Sequence, residues 1–380
     1  MEPTTIIIVG AGLSGLYAAY LLERLGVTSV VLLEARDVIG GRIASVSAPA
    51  SPAAATAINR FDLGPTWFWP EHQQELARLI DQLGLQRFAQ HDEGDMLYER
   101  APGEVPVRMR GYVSAPQSMR LAGGMTALTD ALYGTLRSTR LVIGQMVRRV
   151  RTASGQIEVE SIDAAGVATT WHAGHVLLAL PPRLAIGSIV YEPALPASFA
   201  NEWAGSATWM APHAKYVAIY DQPFWRAQGL SGSARSGGGP LSEVHDASMP
   251  AGSAALFGFL GVPARTRQRL ADDVLMTHCR AQLTRLFGPQ AAAPRAEFIK
   301  DWSKDVLTAT AADLDTGGGH GHAPAAAAAS GPWQDRLTAI GSEWSPRFPG
   351  YLAGAIEAAE IGVRRWRRNQ PEMNGGFAQL

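Results

Sequence analysis

The chain has 380 residues, with 33 Lys plus Arg against 34 Asp plus Glu and a net charge of −1, which withholds the cationic surface that non-specific nucleic-acid binding needs. Charged residues make up 18% and hydrophobic ones 47%, with 40 glycines, so much buried surface and many close approaches of backbone are expected. The single cysteine, Cys279, excludes an intramolecular disulfide, a CxxC redox pair and a cysteine-built zinc or iron–sulfur site, and the length suggests two domains.

In chain order, Thr5–Val9 and Ser29–Leu33 are β-branched runs flanking an apolar helix from Leu13 to Leu25, which makes a βαβ unit. Three glycines interrupt the apolar stretch Ile6–Leu22, and Glu2 stands where a signal peptide carries basic residues. Strand, turn and helix are therefore expected rather than a signal or membrane span. Ser45–Ala57 reads as an Ala/Pro/Ser loop, and the spacing of Leu76, Leu79, Ile80 and Leu83 predicts a helix over Glu71–Leu83. Arg140–Val147, Gln156–Ser161 and His175–Ala179 look like strands, with Gly155 as a turn. Lys215–Tyr220 alternates like another, in which a lone Lys ordinarily faces solvent. Ser231–Pro240 reads as a Gly/Ser loop and Thr266–Phe287 as one long amphipathic helix holding Cys279 as a small buried apolar residue. Thr316–Pro332 reads as a loop. Its His320 and His322 have no carboxylate or Cys neighbour, so no metal is expected. Leu337–Ile340 is a closing strand before a helix from Leu352 to Trp366. The cluster Arg364, Arg365, Trp366, Arg367 and Arg368 reads as a solvated last turn, and a cytoplasmic protein without an integral membrane segment is expected.

Gly10, Gly12 and Gly15 spell GxGxxG directly after a strand and at the head of a helix. The first permits the tight turn, the second lets backbone approach a pyrophosphate, and the third lets helix pack on strand. The helix N-terminus offers free N–H groups to that pyrophosphate, and Ser14 adds a hydroxyl. Glu34 ends the second strand 19 residues after Gly15, where a carboxylate accepts the ribose hydroxyls of an adenosine. Gly40, Gly41 and Arg42 follow, a second close approach and then a fixed cation for the pyrophosphate, an element that points to FAD over a nicotinamide cofactor.

The run VVLLEARDVIGGR, Val30 to Arg42, with the preceding GAGLSG, resembles the flavin-containing amine oxidase family, which includes monoamine and polyamine oxidases. FDLGPTW (Phe61–Trp67), LAGGMTALTDAL (from Leu121), HVLLALPPRL (His175–Leu184), AKYVAIYDQPFWR (Ala214–Arg226) and AIGSEW with PGYLAGAIEAAE (Ala339–Glu360) agree in order and spacing. The resemblance implies an α/β fold, a Rossmann-type FAD-binding domain with a discontinuous α+β substrate domain. The first is assembled from 1–84, 122–204 and 305–367 and the second from 85–121 and 205–304, leaving 368–380 as a tail. It also implies FAD contacts from Ala35 and Arg36, from Gly64, Pro65, Thr66 and Trp67 along the flavin, and from the backbone of Val147 to the adenine. Ser342 and Glu343, after Gly341, would lie near the ribityl and pyrophosphate groups, and Leu352, after Gly350 and Tyr351, would offer backbone to the ring.

The activity implied is that of an amine oxidase. Hydride passes from the carbon beside a neutral amine to the flavin, the imine hydrolyses, and dioxygen reoxidises the cofactor to give hydrogen peroxide. In the resemblance Lys215 is the cation near flavin N5, through a bridging water, and Tyr351 the aromatic edge-on to the flavin. A second cage aromatic after Trp302 is missing, because Ala309, Thr310, Ala311 and Ala312 fill that stretch; Trp344 or Trp67 would supply the wall. The FAD is expected to be non-covalent, since no Cys lies near enough for a thioether. The segment 85–121 has only 37 residues, which suggests a smaller or more open pocket. Two other readings are a flavoprotein desaturase or dehydrogenase that acts on a carbon–carbon bond with another electron acceptor, and a flavin-binding protein without turnover.

Overall fold

In the computed structural model, which describes residues 4–48, 58–153, 155–250, 252–315 and 321–370, the chain opens with β1 (Thr4–Val9), α1 (Leu13–Arg24), β2 (Val30–Leu33), β3 (Ser45–Ser47) and β4 (Arg60–Asp62). There follow α2 (Gln74–Gln82), β5 (Arg87–Ala89), β6 (Asp95–Glu99), β7 (Val107–Met109), β8 (Met119–Leu121) and α3 (Thr126–Thr135). A strand-rich stretch gives β9 (Arg140–Val142), β10 (Met146–Ala153), β11 (Gln156–Ile162), β12 (Ala168–Leu178), α4 (Pro182–Ser188), β13 (Val190–Glu192) and α5 (Ala197–Gly205). The rest is β14 (Ala214–Tyr220), α6 (Phe224–Ala227), β15 (Leu230–Ser236), β16 (Leu241–Asp246), β17 (Ala254–Leu260), α7 (Ala264–Arg267), α8 (Asp272–Phe287), β18 (Ala296–Asp301), β19 (Leu337–Ala339) and α9 (Leu352–Arg368). Two units result: Met1–Gly41 with Thr129–Trp209 and Gly317–Leu380, and Arg42–Leu128 with Met210–Thr316. Residues 42–84, 122–128 and 305–316 thus cluster with the second unit and 205–209 with the first.

The first unit is built on a sheet in the order β13-β10-β11-β12-β1-β2-β9, with β19 also on β12. β1 runs parallel to β2 and to the C-terminal half of β12, where Ile7 lies opposite Val31 and Val176. Ile6–Val9 and Val30–Leu33 are buried throughout, as strands covered on both faces must be, which is why they read as continuous apolar runs. The N-terminal half of β12 turns to an antiparallel partner, β11, and its burial alternates. The expected strand Arg140–Val147 is two strands, because Gly144 takes a left-handed φ of +68° and sends the chain from β9, beside β2, to β10 on the other side of the sheet. α1 packs on α9, and the Tyr17 hydroxyl donates to Glu360 Oε1 at 2.9 Å.

The second unit holds a seven-stranded sheet in the order β18-β14-β17-β16-β15-β6-β7. β14 is buried at all seven positions, not at alternate ones. Tyr216, Ala218 and Tyr220 pack with Leu275, Cys279 and Leu283 of α8, whereas Val217 and Ile219 pack with Phe61 and Phe257. The side chain of Lys215 is therefore covered by protein and does not face solvent. Two further expectations are corrected. Ser231–Pro240 is not a loop: its first part is β15, and Gly232 is packed so tightly that a Cβ would meet Trp225 Nε1 at 2.8 Å. Thr266–Phe287 is not one helix: Arg267 ends α7 turned inward onto Asp301, and α8 starts afresh at Asp272 with two acids in its first turn, which suit the helix dipole. Ser45–Ser47 pairs with β4, while 49–57 of the expected loop lie outside the described residues, as do 316–320, including His320, and 371–380 of the tail. Residues 321–332 form no helix or strand.

Candidate active site

In the first unit the candidate nucleotide site is backbone. Gly10, with φ +104°, turns the chain off β1, and a Cβ on Gly15 would come within 1.9 Å of the Gly10 carbonyl oxygen, so α1 packs on β1 only with glycine there. Gly12 caps α1 with no side chain bonded to its amides, and Ser14 is buried in the first turn. Gly40 donates its N–H to Ala11 O at 2.9 Å, and a Cβ on Gly41 would lie 3.4 Å from Gly12 Cα. Glu34 closes the cradle: Oε2 accepts the N–H of Ala11 at 2.7 Å and Oε1 that of Arg36 at 2.9 Å. A carboxylate has about four lone-pair positions, so about two remain for ribose hydroxyls. Free amides at a helix N-terminus, close-packed glycine backbone and a fixed carboxylate are the donor and acceptor set that a dinucleotide requires, and these residues fit FAD. Ala35 and Arg36 are half-buried beside Glu34, and Val147 is buried on β10.

The closing segment belongs to the same unit. A Cβ on Gly341 would meet Leu180 O at 2.6 Å; Ser342 Oγ donates to Glu343 Oε2 at 3.1 Å; Gly350, with φ +82°, donates its N–H to Ser342 O at 3.1 Å. Tyr351 caps α9, and Leu352 is its first residue. Trp344 packs edge-on against Trp203 at 5.1 Å and donates its N–H to Ala325 O at 3.3 Å within the core. The ring stacked on Tyr351, at 5.5 Å between centroids and 29° between planes, is that of Trp209. Sequence reasoning missed it, because no periodicity or motif marks that residue. A hollow of about 180 Å³ beside this pair is lined by Ser206, Trp209, His322, Glu343, Pro349 and Gly350 among others.

The second unit contains the other candidate residues. Lys215 Nζ donates to Gly64 O at 2.6 Å, Thr66 Oγ1 at 2.6 Å and Asp62 O at 3.2 Å, and lies 4.4 Å from the ring centre of Phe257. Burial pulls the Lys215 pKa down to about 7, against the opposing pull of Asp62. Gly64 is fixed by the close passage of Arg42, whose carbonyl oxygen would lie 2.1 Å from a Cβ. Pro65 is half-buried between Gly64 and Thr66. Trp67 donates its N–H to Gln90 Oε1 at 2.8 Å and stands edge-on to His245 at 4.8 Å. Among the described residues there is no group of three or more His, Cys, Asp or Glu placed to hold a metal, and no helix is long and apolar enough to cross a membrane.

The family model of the flavin containing amine oxidoreductases matches residues 108–365, and that of an NAD(P)-binding Rossmann-like domain matches residues 8–83. A probable flavin-containing monoamine oxidase A of Dictyostelium discoideum is 23% identical over 93% of this chain and 95% of its own. A putrescine oxidase of Kocuria rosea is 24% identical over 94% of each. Among solved structures, a putrescine oxidase with putrescine bound superposes with a TM-score of 0.75 at 20% identity, covering 96% of this chain and 98% of that one, and so shares the fold. The chain therefore belongs to the flavin containing amine oxidoreductases, and it is an α/β oxidoreductase with a Rossmann-like domain and FAD as its cofactor.

Proposed function

We propose that this protein oxidises a primary or secondary amine, holds FAD non-covalently and passes the electrons to dioxygen. When bound, FAD supplies the acceptor for the hydride on the carbon beside the amine nitrogen and the means of reducing dioxygen to hydrogen peroxide. The chain's own work is to bind, orient and polarise. Gly10, Gly12, Ser14, Gly15, Gly40, Gly41 and Arg42 take the pyrophosphate and Glu34 the ribose, with Ala35 and Arg36 flanking it. Val147 meets the adenine, Gly341, Ser342 and Glu343 the ribityl chain, and Gly350 and Leu352 the ring. The resemblance assigns residues 64–67 to the flavin, and with that assignment the FAD-binding domain would take in 1–84, 122–204 and 305–367. The substrate domain takes in 85–121 and 205–304.

Tyr351 guides the amine nitrogen, with Trp209 behind it. Trp344 packs on Trp203 in the core, which leaves it a supporting part. Lys215 is the observation that carries the reading: an ammonium buried against Phe257 and tied to Gly64 and Thr66 puts fixed positive charge beside the loop assigned to the flavin. With FAD bound, a preorganised cation in a dry site would stabilise negative charge arising beside it without reorganisation, and that is the role proposed for Lys215. The named activity of the Kocuria rosea relative, and the putrescine held by a solved one, support an aliphatic amine as the substrate class. The test is a peroxide-coupled screen of the purified holoprotein against mono- and diamines. Peroxide formed in step with amine consumed is expected. A flavin that no amine on the panel reduces overturns the proposal in favour of a dehydrogenase of carbon–carbon bonds with another acceptor, and one that amines reduce without peroxide forming in air overturns dioxygen as the acceptor.

A further inference from the structure

Next to Lys215 lies a buried acid to which the proposed function gives no work. Asp62, at the end of β4, is 5% exposed. Its Oδ1 accepts the Ser45 hydroxyl at 2.8 Å and the Met125 N–H at 2.7 Å, and Thr126 Oγ1 donates on to Ser45 at 3.1 Å. Its Oδ2 is buried and has no hydrogen-bond partner among the described residues. A chain of donors thus feeds one oxygen of the carboxylate while the other is left bare, a costly arrangement unless nearby positive charge compensates it.

Two buried cations act on it. Lys215 has three acceptors around Nζ, namely two carbonyl oxygens and a hydroxyl. An ammonium has three N–H groups and no lone pair, so it satisfies that set, whereas a neutral amine would turn its lone pair on one of the acceptors. Burial opposes the charged form that the acceptors demand. Arg120, the second cation, adds repulsion to Lys215; it is fixed by Ala247 O at 2.7 Å and Ser248 O at 3.0 Å. The other charged groups on neighbouring strands are engaged elsewhere. Lys300, opposite Lys215 on β18, donates to Asp305 Oδ2 at 2.7 Å, and Glu243, opposite Phe259 on β16, pairs with His245 at 2.7 Å and Arg235 at 3.4 Å. Asp62 is the acid of this cluster that opposes the effect of burial on Lys215, while burial pushes its own carboxyl up and Lys215, the Met125 N–H and the Ser45 hydroxyl pull it down.

We propose that Asp62 is a positioning residue: its buried carboxylate favours the ammonium form of Lys215 that the three acceptors around Nζ demand, so that the charge beside residues 64–66 persists to higher pH than burial alone would allow. Its consequence for turnover rests on the amine-oxidase reading, but the electrostatic coupling does not. The chain has only three lysines, Lys215, Lys300 and Lys304, so holoprotein labelled with 13C at lysine Cε gives three resonances that can be titrated one by one. The expected result is that Asp62→Asn moves the Lys215 midpoint down by about one pH unit or more, leaves those of Lys300 and Lys304 in place, and moves the pH profile of flavin reoxidation in the same direction, with Asp62→Glu restoring part of the shift. Should Asp62→Asn fold poorly, unfolding of Lys215→Met, Asp62→Asn and the double variant closes a cycle. The double variant is expected to be more stable than the two single losses added together. A Lys215 midpoint unchanged by Asp62→Asn, or strictly additive losses in the cycle, overturns the proposal. Absence of peroxide with every amine, together with the expected shift in the resonance, would refute the functional reading and leave this one standing.

Discussion

Glu34 carries two loads at once. Its oxygens hold the Ala11 and Arg36 amides, and the same carboxylate is the one assigned to the ribose. In Glu34→Gln one of the two oxygens becomes an NH2, which donates where a backbone N–H also donates, so a buried clash of donors replaces a bond. Charge-assisted bonds of this kind contribute about 1.5–3 kcal/mol, so FAD affinity is expected to fall about 10- to 100-fold. Titrating the apoprotein with FAD and following flavin fluorescence checks it, and equal affinity in the variant would take Glu34 out of the site. The position of Glu34 was legible in the sequence because the distance from the glycines to the end of the second strand is fixed by one helix and one turn. The surroundings of Lys215 were not. Whether a strand residue is exposed depends on what covers each face, and Phe61 and Phe257, which pack on the Val217 face of β14, come from segments far apart in the chain.

Among the elements, parallel strands and amphipathic helices announced themselves, because β1, β2 and α9 have apolar patterns that only one kind of burial explains. β15 did not: LSGSARS looks like a linker, and only the neighbouring strands and Trp225 make its small residues a packing requirement. The junction of β12 with β19 yields a prediction of its own. His175, on β12, is 3% exposed, with Nδ1 3.0 Å from Asp335 O and Nε2 3.1 Å from Thr338 Oγ1. Burial pushes its pKa down to about 4, from about 6.5 in an unfolded chain. Above pH 6.5 both states are neutral there and His175 contributes no pH dependence. As pH falls from 6.5 to 4 the unfolded chain takes up a proton that the folded one does not, so stability is lost in that window. Between pH 7 and pH 5 the loss from this group is on the order of 2 kcal/mol. His175→Gln retains hydrogen-bonding groups but has no proton to gain, so urea unfolding should show the variant losing less stability over that interval than the wild type. Equal losses in the two proteins would mean that His175 titrates alike folded and unfolded.

For the whole molecule, the glycine cradle and the closing segment were readable because each is a run of neighbouring residues, whereas Trp209 on Tyr351 was not, since residues 142 positions apart meet there only through folding. The chemistry of the single cysteine also belongs to this scale, because it bears on how the cofactor is held. A thioether to flavin needs a reactive thiolate at the ring. Cys279 instead sits on α8 in the second unit's core, fully buried between Leu275 and Leu283, and burial pushes its thiol up to about 12. It is therefore neither ionised nor accessible at neutral pH, and it lies outside every segment assigned to the cofactor. On the proposed non-covalent reading FAD is held by backbone amides, the Glu34 carboxylate and packing, and all of these vanish when the chain unfolds. Acid or heat denaturation should accordingly release all of the flavin into the supernatant, with its absorbance equal to that of the native holoprotein's FAD after correction for the change in environment. Yellow colour that stays with the washed, precipitated polypeptide would show a covalent link and would require a ligand residue other than Cys279.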